Sequence, residues 1–301
     1  MNNTRVLVTG ATGFIGKPLT KALLNAGCEV LAITRKAPVE QTQIKWLEAD
    51  LSQSESYQQA VNEFAPEVVI HLSWQGIPDY SFATSLDNLN QSLGLLSFVV
   101  GLQSCKKVMV SGSCWEYAGA TGECLETDIS VPQNDFTWAK HAIRSWLETH
   151  CEKNDVDYAW LRIFYVYGPG QRSGSLLPTI LTSLRNDTLP GINTPFNAND
   201  YVYIDDVVEA FVLCVKQSFK SGIYNLGSGE SIQVLEVCRL AESHVKDSNH
   251  LSQALAENAP VKVGTVDFWA GLCEVKANLG WAPKTSLVDG ISQTWNYVKA
   301  L

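Results

Sequence analysis

The chain lacks the features that would direct it to a membrane, a metal ion or a nucleic acid. No apolar run approaches the ~18 residues needed to cross a bilayer. The net charge of -9, with no basic stripe, argues against nucleic acid. The eight cysteines form no C-x-x-C pair and the five histidines have no metal-ligand spacing. Because a strand pattern begins at once, we expect no signal peptide. The scattered cysteines and histidines indicate reduced thiols in a cytoplasmic protein and no metal site.

A glycine-spaced turn lies near the start of the chain, between a predicted strand and a predicted helix. The apolar run 6–8 leads into Gly10, Gly13 and Gly16, and a helical pattern covers 17–26. Gly10 allows a sharp turn, Gly13 lets backbone N–H groups approach a pyrophosphate, and Gly16 lets the helix pack closely on the strand. Since unpaired N–H groups and the dipole of a helix N-terminus favour an anion, the turn predicts a nucleotide-binding site.

The residues after the second predicted strand, 30–33, bear on which dinucleotide is bound. An acidic side chain there would accept hydrogen bonds from the ribose 2′-hydroxyl of NAD. The chain has Thr34, Arg35 and Lys36 instead. Two cations and a hydroxyl suit a 2′-phosphate, so we expect NADP(H), with NAD as the second choice. The alternative is that Arg35 and Lys36 belong to a solvated turn.

The G-x-x-G-x-x-G spacing resembles that of the extended short-chain dehydrogenase/reductase family, the epimerases, dehydratases and reductases that act largely on nucleotide sugars. Further segments along nearly the whole chain are similar to motifs of this family. They are the V-I-H-L segment at 69–72, the Ser-x-x-x-Tyr run at 113–117, the L-R-x-x-x-V-Y-G-P-G run at 161–170, the D-Y-V-Y-I-D-D-V run at 200–207, the Y-N-L-G-x-G run at 224–229 and the K-A-N-L-G-W-A-P segment at 276–283.

The resemblance and the alternating strand and helix patterns imply an α/β fold, a Rossmann-type doubly wound parallel sheet with a smaller C-terminal substrate lobe. With 301 residues, 46% of them hydrophobic, the chain can bury such a core. We assign 1–167 plus 202–228 to the dinucleotide-binding domain and 168–201 plus 229–301 to the substrate lobe. The ligand cleft is expected between them.

A long helix over 86–103 carries apolar residues at helical spacing. In the family this helix packs in the four-helix bundle of a dimer, so the resemblance implies a homodimer. The alternative is a helix of the core. His71, on the fourth predicted strand, is interpreted as a buried and hydrogen-bonded strand histidine rather than a catalyst.

The catalytic positions follow from two family motifs. Ser113 takes the position of the catalytic serine, whose hydroxyl would hydrogen-bond the reacting oxygen of the substrate. Lys140 takes the lysine position of Tyr-x-x-x-Lys, whose i,i+4 spacing places both side chains on one helix face. Sugar 4,6-dehydratases of the family have Asp and Glu directly after the serine, whereas this chain has Cys114 and Trp115. Dehydration is therefore not expected.

Phe136 stands where the family has its catalytic tyrosine. A phenyl ring has no proton to give or take, and the loss of a positioned acid costs about 10²–10⁴ in rate. Three explanations stay open: a Tyr→Phe variant made to trap a complex, a natural enzyme with another donor, or a descendant that only binds. The candidate donors are Cys114, Tyr117, Tyr165 and water relayed through Ser113 or Thr137.

Other binding positions come from the resemblance. Asp50 and Leu51 would contact the adenine, although a plain strand end is an alternative, and the loop 74–80 would line the substrate pocket. The expected cofactor-binding residues are Gly10, Thr12, Gly13, Phe14, Ile15, Gly16, Thr34, Arg35, Lys36, Asp50, Leu51, Leu72, Ser73, Lys140 and Tyr165. The expected substrate-binding residues are Trp74, Cys114, Trp115, Leu177 and Asn199.

Two of these positions depart from the family pattern. Tyr165 replaces the usual Asn, and Asn199 replaces an arginine that grips a diphosphate bidentately in several relatives. The residues available to substitute for that arginine are Arg172, Arg185 and Lys262. Asp205 and Asp206 are expected to cap the next helix.

The resemblance implies NADP(H)-dependent reduction of a 4-keto-6-deoxy nucleotide sugar, in the synthesis of deoxyhexose precursors for surface polysaccharide. Two alternatives remain. One is a nucleotide-sugar 4-epimerase, which would hold its cofactor permanently and usually use NAD. The other is a catalytically silent dinucleotide sensor, which Phe136 permits.

Overall fold

Seven parallel strands form the central sheet of the computed structural model, which describes residues 3–39, 43–117, 119–258 and 266–301. The strands of the described chain are β1 (Arg5–Thr9), β2 (Glu29–Thr34), β3 (Lys45–Glu48), β4 (Val68–His71), β5 (Lys107–Ser113), β6 (Gly122–Cys124), β7 (Asp157–Ile163), β8 (Tyr165–Tyr167), β9 (Ala198–Asn199), β10 (Tyr201–Tyr203), β11 (Gly222–Leu226), β12 (Ile232–Gln233) and β13 (Asp267–Ala270). The central sheet has the order β3-β2-β1-β4-β5-β7-β11, and every pair is parallel. The predicted doubly wound α/β fold is confirmed.

Helices cover both faces of this sheet, so its strands are apolar almost throughout; all four residues of β4 are buried. The α-helices are α1 (Gly16–Asn25), α2 (Gln58–Phe64), α3 (Phe82–Val100), α4 (Asp135–Lys153), α5 (Leu176–Asn186), α6 (Ile204–Lys216), α7 (Val234–Lys246), α8 (His250–Glu257), α9 (Cys273–Leu279) and α10 (Leu287–Lys299). On one face α1 packs on α6, and on the other α3 packs on α4. Each pair shares an apolar cluster with the strands beneath it.

The strand order reverses between β2 and β4, the two neighbours of β1. At such a switch point the connections from adjacent strands run to opposite faces, and their carboxyl ends leave a crevice. The glycine turn follows β1 directly, so it lies at this crevice.

Helices α5, α7 and α10 pack against one another beside the central sheet. Their apolar core contains Leu181, Ala241 and Ile291, all buried. Two small sheets adjoin this core, β8 with β10 and the four strands β12-β9-β13-β6. The division into residues 1–167 plus 202–228 and 168–201 plus 229–301 stays a prediction.

The structure corrects two predicted elements. The long helix spans Phe82–Val100 rather than 86–103. It begins at 82 because the Ser81 side chain caps it by accepting from the Thr84 N–H. The strand predicted over 158–167 is two strands, because the Phe164 N–H donates to Leu226 at the end of the main sheet while the Tyr165 N–H donates to Asp200. The chain thus leaves the central sheet at this point.

The predicted capping role of Asp205 and Asp206 is wrong. Tyr203 is the N-cap residue of α6, and both aspartates lie in its first turn. The Asp206 carboxylate instead accepts from the Thr285 N–H at 3.0 Å. Asp206 thus joins α6 to the segment before α10.

Within the described ranges, no helix is both long and apolar enough to span a bilayer. The same residues contain no cluster of three His, Cys, Asp or Glu side chains arranged to hold a metal ion. The cysteines are unpaired thiols, and all except Cys273 are buried.

Candidate functional site

Two cavities meet at the carboxyl edge of the central sheet. The smaller, of about 240 Å³, is lined by the glycine turn and by the ends of β2, β3 and β4. The larger, of about 620 Å³, is lined by the end of β5, by α4 and by residues that follow β7. Leu72 and Trp74 line both cavities. A ligand with two halves can therefore extend from one cavity into the other.

The glycine turn is too compact for side chains. Gly10 has a φ of +73°, and a Cβ there would lie 2.9 Å from the Leu72 carbonyl carbon and the Ser73 nitrogen. A Cβ on Gly16 would lie 2.1 Å from the Gly10 oxygen. The N-cap residue of α1, Ile15, provides no side-chain hydrogen bond. The Lys17 N–H donates to the Gly13 oxygen at 3.1 Å, and Pro18 has no N–H. The N–H groups just before them, at the N-terminus of α1, suit an anion, as a dinucleotide pyrophosphate requires.

The far end of the smaller cavity carries a cation and a carboxylate. Thr34, Arg35 and Asp50 line it. Arg35 is exposed, its Nη1 lies 3.5 Å from Gln75 Oε1, and its charge acts on Asp50. Hydrogen bonds from the Ser52 N–H and hydroxyl, at 2.9 and 2.8 Å, hold the pKa of Asp50 below its ordinary value. Lys36 is exposed and lies outside the cavity lining.

Lys140 and Ser113 lie together in the larger cavity. The Lys140 side chain is buried, and its Nζ donates to the Ser111 oxygen at 2.8 Å and lies 4.3 Å from the centre of the Trp74 ring. Burial lowers the pKa of Lys140 to about 8. Ser113 Oγ accepts from the Trp115 N–H at 3.2 Å. A carbonyl between Ser113 and Lys140 would thus face a hydroxyl and an ammonium group.

Phe136 lies one helical turn before Lys140, as the spacing predicts, and is 7% exposed at the cavity wall. Three aromatic side chains surround it, with ring centres at 5.0 Å (Trp74), 5.2 Å (Tyr80) and 6.1 Å (Trp115). We call these three residues and Phe136 the aromatic cluster. The other three rings meet Phe136 edge to face, an arrangement that aromatic quadrupoles favour. It forms one wall of the site.

A buried ion pair between Glu116 and Arg162, which was not predicted from the sequence, contacts the backbone of Ser113. Glu116 Oε2 lies 3.0 Å from Arg162 Nε, with both side chains 1% exposed. Glu116 Oε1 accepts from the Ser113 N–H at 3.0 Å and from Trp160 Nε1 at 2.9 Å. Arg162 Nη1 also donates to the Tyr117 hydroxyl at 2.5 Å. Glu116 follows Ser113 by three residues, and Arg162 belongs to the L-R motif. An acidic and a basic residue in two motifs that were expected to be buried could have indicated this ion pair.

Tyr117, a proposed proton donor, and Thr137, a proposed relay for water, do not line the larger cavity. The Tyr117 hydroxyl is held by Arg162 and lies 2.9 Å from Asn225 Oδ1. Thr137 closes a capping box with Asn134 at the start of α4, which occupies its hydroxyl. Cys114 and Tyr165 do line the larger cavity. Burial raises the pKa of both groups well above their ordinary values.

His71 lies where the sequence interpretation placed it, buried in β4. Its Nδ1 lies 2.8 Å from Thr9 Oγ1 and its Nε2 lies 2.9 Å from Ser92 Oγ. Burial lowers the pKa of His71 to about 3. The ring is therefore neutral at pH 7 and joins β1, β4 and α3.

The structure brings most of the expected binding residues to the two cavities. The smaller is lined by Gly10, Thr12, Gly13, Thr34, Arg35, Asp50, Leu51, Leu72 and Ser73, and the larger by Ile15, Leu72, Trp74, Ser113, Cys114, Trp115, Phe136, Lys140, Tyr165, Leu177 and Asn199. Phe14 packs instead against the C-terminal apolar core. The roles of these residues stay predictions.

The three cations considered in place of the arginine absent at 199 lie in different places. Arg172 lines the larger cavity, and its Nη1 lies 3.4 Å from the Ile77 oxygen. Arg185 does not line it and donates to the Val298 oxygen at 3.1 Å. Lys262 lies outside the described residues. Asn199 itself donates to the Tyr201 hydroxyl at 3.1 Å.

Two buried polar atoms at the larger cavity have no hydrogen-bond partner among the described residues, Trp74 Nε1 and Gln171 Oε1. An unpaired buried polar group costs about 1–3 kcal/mol. One is a donor and the other an acceptor, so a polar ligand can satisfy both. The donor set of both cavities fits a dinucleotide beside a polyhydroxylated substrate.

A family model, curated relatives and a solved structure all match this chain over most of its length. The model of the NAD dependent epimerase/dehydratase family matches residues 6–227. The chain is 25% identical to the dTDP-4-dehydro-6-deoxyglucose reductase of Escherichia coli, over 96% of this chain and 95% of the relative. It is 26% identical to the dTDP-6-deoxy-L-talose 4-dehydrogenase (NAD(P)(+)) of Kitasatospora kifunensis, over 97% and 94%. The crystal structure of UDP-glucose 4-epimerase from Thermotoga maritima superposes with a TM-score of 0.82 at 24% identity, covering 98% of this chain and 99% of that one.

Proposed function

The chain belongs to the NAD dependent epimerase/dehydratase family, and from this premise we propose that it is an NADP(H)-dependent reductase of a 4-keto-6-deoxy nucleotide sugar. A reduced nicotinamide dinucleotide supplies the hydride that converts the keto group to an alcohol. The residues described above do the rest: they bind the dinucleotide, orient the sugar and polarise its carbonyl.

The observation that carries this proposal is the position of Arg35. Its guanidinium lies at the ribose end of the smaller cavity, exposed and 3.5 Å from an uncharged glutamine amide. A guanidinium binds a phosphate through charge-assisted hydrogen bonds, whereas a 2′-hydroxyl prefers a carboxylate. NADP(H) turns over as an exchangeable reductant, which favours a reductase over an epimerase that retains NAD.

The larger cavity supports a ketone as the reacting group. Ser113 Oγ accepts from the Trp115 N–H, which leaves its own proton free to donate to a carbonyl oxygen. The Lys140 ammonium keeps donors beyond its bond to Ser111 and can hold the nicotinamide ribose. Both groups favour the negative charge that develops on the oxygen during hydride transfer.

The diphosphate of the sugar nucleotide is assigned to Arg172. Apart from Lys140, it is the one cationic side chain among the described residues that line the larger cavity. It follows Gln171, whose unpaired Oε1 can accept from a sugar hydroxyl or a base N–H. The two residues thus replace the arginine that this chain lacks at 199.

Phe136 favours one second candidate, a dinucleotide-binding protein without turnover. The assay that separates the two follows NADPH oxidation with dTDP-, UDP-, CDP- and GDP-linked 4-keto-6-deoxyhexoses. Oxidation with at least one of them, and an alcohol product, supports the reductase. NADPH binding without oxidation of any would leave the silent protein as the better description.

Arg35→Ala is expected to lower the preference for NADPH over NADH by about 10- to 100-fold, because a hydrogen bond to a charged group contributes about 1.5–3 kcal/mol. The measurement is kcat/KM for each dinucleotide in the wild-type chain and the variant. Lys36→Ala is the matched control, since Lys36 is equally exposed but lies outside the cavity. An equal loss in both variants would contradict the assignment of Arg35.

A further inference from the structure

Reduction of a ketone requires a proton at the carbonyl oxygen, and Phe136 has none to give. The donor must therefore be another group at the wall of the larger cavity. We propose that Tyr80 is this donor, a catalytic residue supplied by the loop before α3 instead of by α4. The assignment rests on the proposed reductase function and deepens it.

The Tyr80 ring contacts the two residues that define the reacting position. Its centre lies 5.2 Å from that of Phe136, at 63°, and 5.0 Å from that of Trp115. The Trp115 N–H in turn donates to Ser113 Oγ at 3.2 Å. Among the described tyrosines, Tyr80 is the one in ring contact with Phe136. Tyr80 and Ser113 both line the larger cavity, so the ring belongs to the same part of its wall as the serine.

The loop that presents Tyr80 is anchored at both ends. Before the tyrosine, the Gln75 N–H donates to Asn88 Oδ1 at 2.8 Å, and Asn88 Nδ2 donates to the Gln75 oxygen at 3.0 Å. Next to it, Asp79 accepts from the Ser81 N–H at 2.9 Å and from Thr84 Oγ1 at 2.5 Å. Both anchors belong to α3 or its cap, so the phenol is held at a fixed place, as a general acid requires.

Tyr165, Tyr201 and Cys114, which also line this cavity, are less suited. Burial raises the pKa of Tyr165 and Cys114 well above their ordinary values, and that of Tyr201 to about 12. The Tyr201 hydroxyl also accepts from Asn199. Tyr80 lines the cavity and is half-buried, so it can exchange its proton with solvent.

The proposed step balances in atoms and electrons. A bound reduced dinucleotide would supply the hydride with its electron pair and would itself become oxidised. At the substrate, a C–H bond forms at the keto carbon as the C=O π bond breaks towards oxygen. The Tyr80 O–H bond breaks as a new O–H bond forms at the carbonyl oxygen. The phenolate then regains a proton from solvent, and the sugar is left as an alcohol.

The test compares the wild-type chain with Tyr80→Phe, Tyr80→Phe/Phe136→Tyr and Tyr297→Phe. The last variant changes an exposed phenol that lines neither of the two cavities. NADPH oxidation is measured with the four keto sugars named above, and NADPH affinity is measured separately by fluorescence titration. We expect Tyr80→Phe to lower kcat by about 10²–10⁴ and to leave the NADPH Kd within about twofold, because removal of one hydroxyl leaves the ring contacts intact. The double variant should regain activity, and Tyr297→Phe should match the wild type.

A kcat for Tyr80→Phe close to the wild-type value would overturn the assignment of Tyr80 alone. The assignment also fails if the double variant stays as inactive as Tyr80→Phe, because a phenol at 136 would then not replace the lost group. A wild-type chain that binds NADPH but reduces none of the sugars would overturn the proposed function and this assignment with it.

Discussion

Replacement of Lys140 by methionine is expected to lower kcat/KM by about 10²–10³, the usual cost of removing one preorganised electrostatic donor. Methionine keeps an unbranched side chain against the Trp74 ring but removes the ammonium that donates to Ser111. Since burial lowers the pKa of Lys140 to about 8, the wild-type chain should lose activity as pH rises through about 8. The variant should lack that alkaline limb. Rates of NADPH oxidation between pH 6 and 9.5 measure both effects.

The matched control is Lys153→Met, at the exposed C-terminal turn of the same helix. It should retain both the rate and the pH profile. If Lys140→Met keeps the wild-type kcat/KM, then Lys140 does not act at the reacting centre and its place in the site is structural.

Glu116→Gln is expected to destabilise the fold by about 3–5 kcal/mol, because it leaves the buried Arg162 guanidinium without its carboxylate. The new amide can still accept from Ser113 and Trp160 through one oxygen, but its NH₂ group would face the Arg162 N–H. Two donors would then oppose each other inside the protein. Urea unfolding followed by circular dichroism measures the loss.

Glu148→Gln provides the comparison, because Glu148 is a partner of Arg144 four residues away at 3.7 Å and its side chain is 56% exposed. Exposed pairs contribute about 0–1 kcal/mol. Equal small losses in the two variants would show that the buried Glu116–Arg162 pair contributes no more to stability than an exposed pair.

The parts that were predicted correctly from the sequence depend on local rules. The turn after β1 could be predicted from the glycine spacing because a Cβ at Gly10 or Gly16 would clash with nearby backbone, so only glycine fits there. The neighbouring positions of Phe136 and Lys140 follow from helical periodicity. The parallel sheet follows from apolar runs such as that at 68–71, which alternate with helical patterns.

The parts that sequence reasoning missed depend on contacts between distant segments. Glu116 and Arg162 are 46 residues apart, and nothing local to either shows that they form a buried pair. The break at Phe164 arises because successive N–H groups donate to acceptors in different places, Leu226 in β11 and Asp200 between β9 and β10. Tyr80 lies in a loop that is positioned by hydrogen bonds to α3, from Gln75 to Asn88 and from Thr84 to Asp79. Nothing in the local sequence predicts these hydrogen bonds.

The central claim is that the opening turn binds the pyrophosphate of NADP(H) and places a nicotinamide beside Ser113 and Lys140. Isothermal titration of the purified chain with NADPH and with NADH tests it most directly. We expect NADPH to bind at least about tenfold more tightly than NADH, a difference of about 1.4 kcal/mol. No measurable binding of either dinucleotide would contradict the account of both cavities.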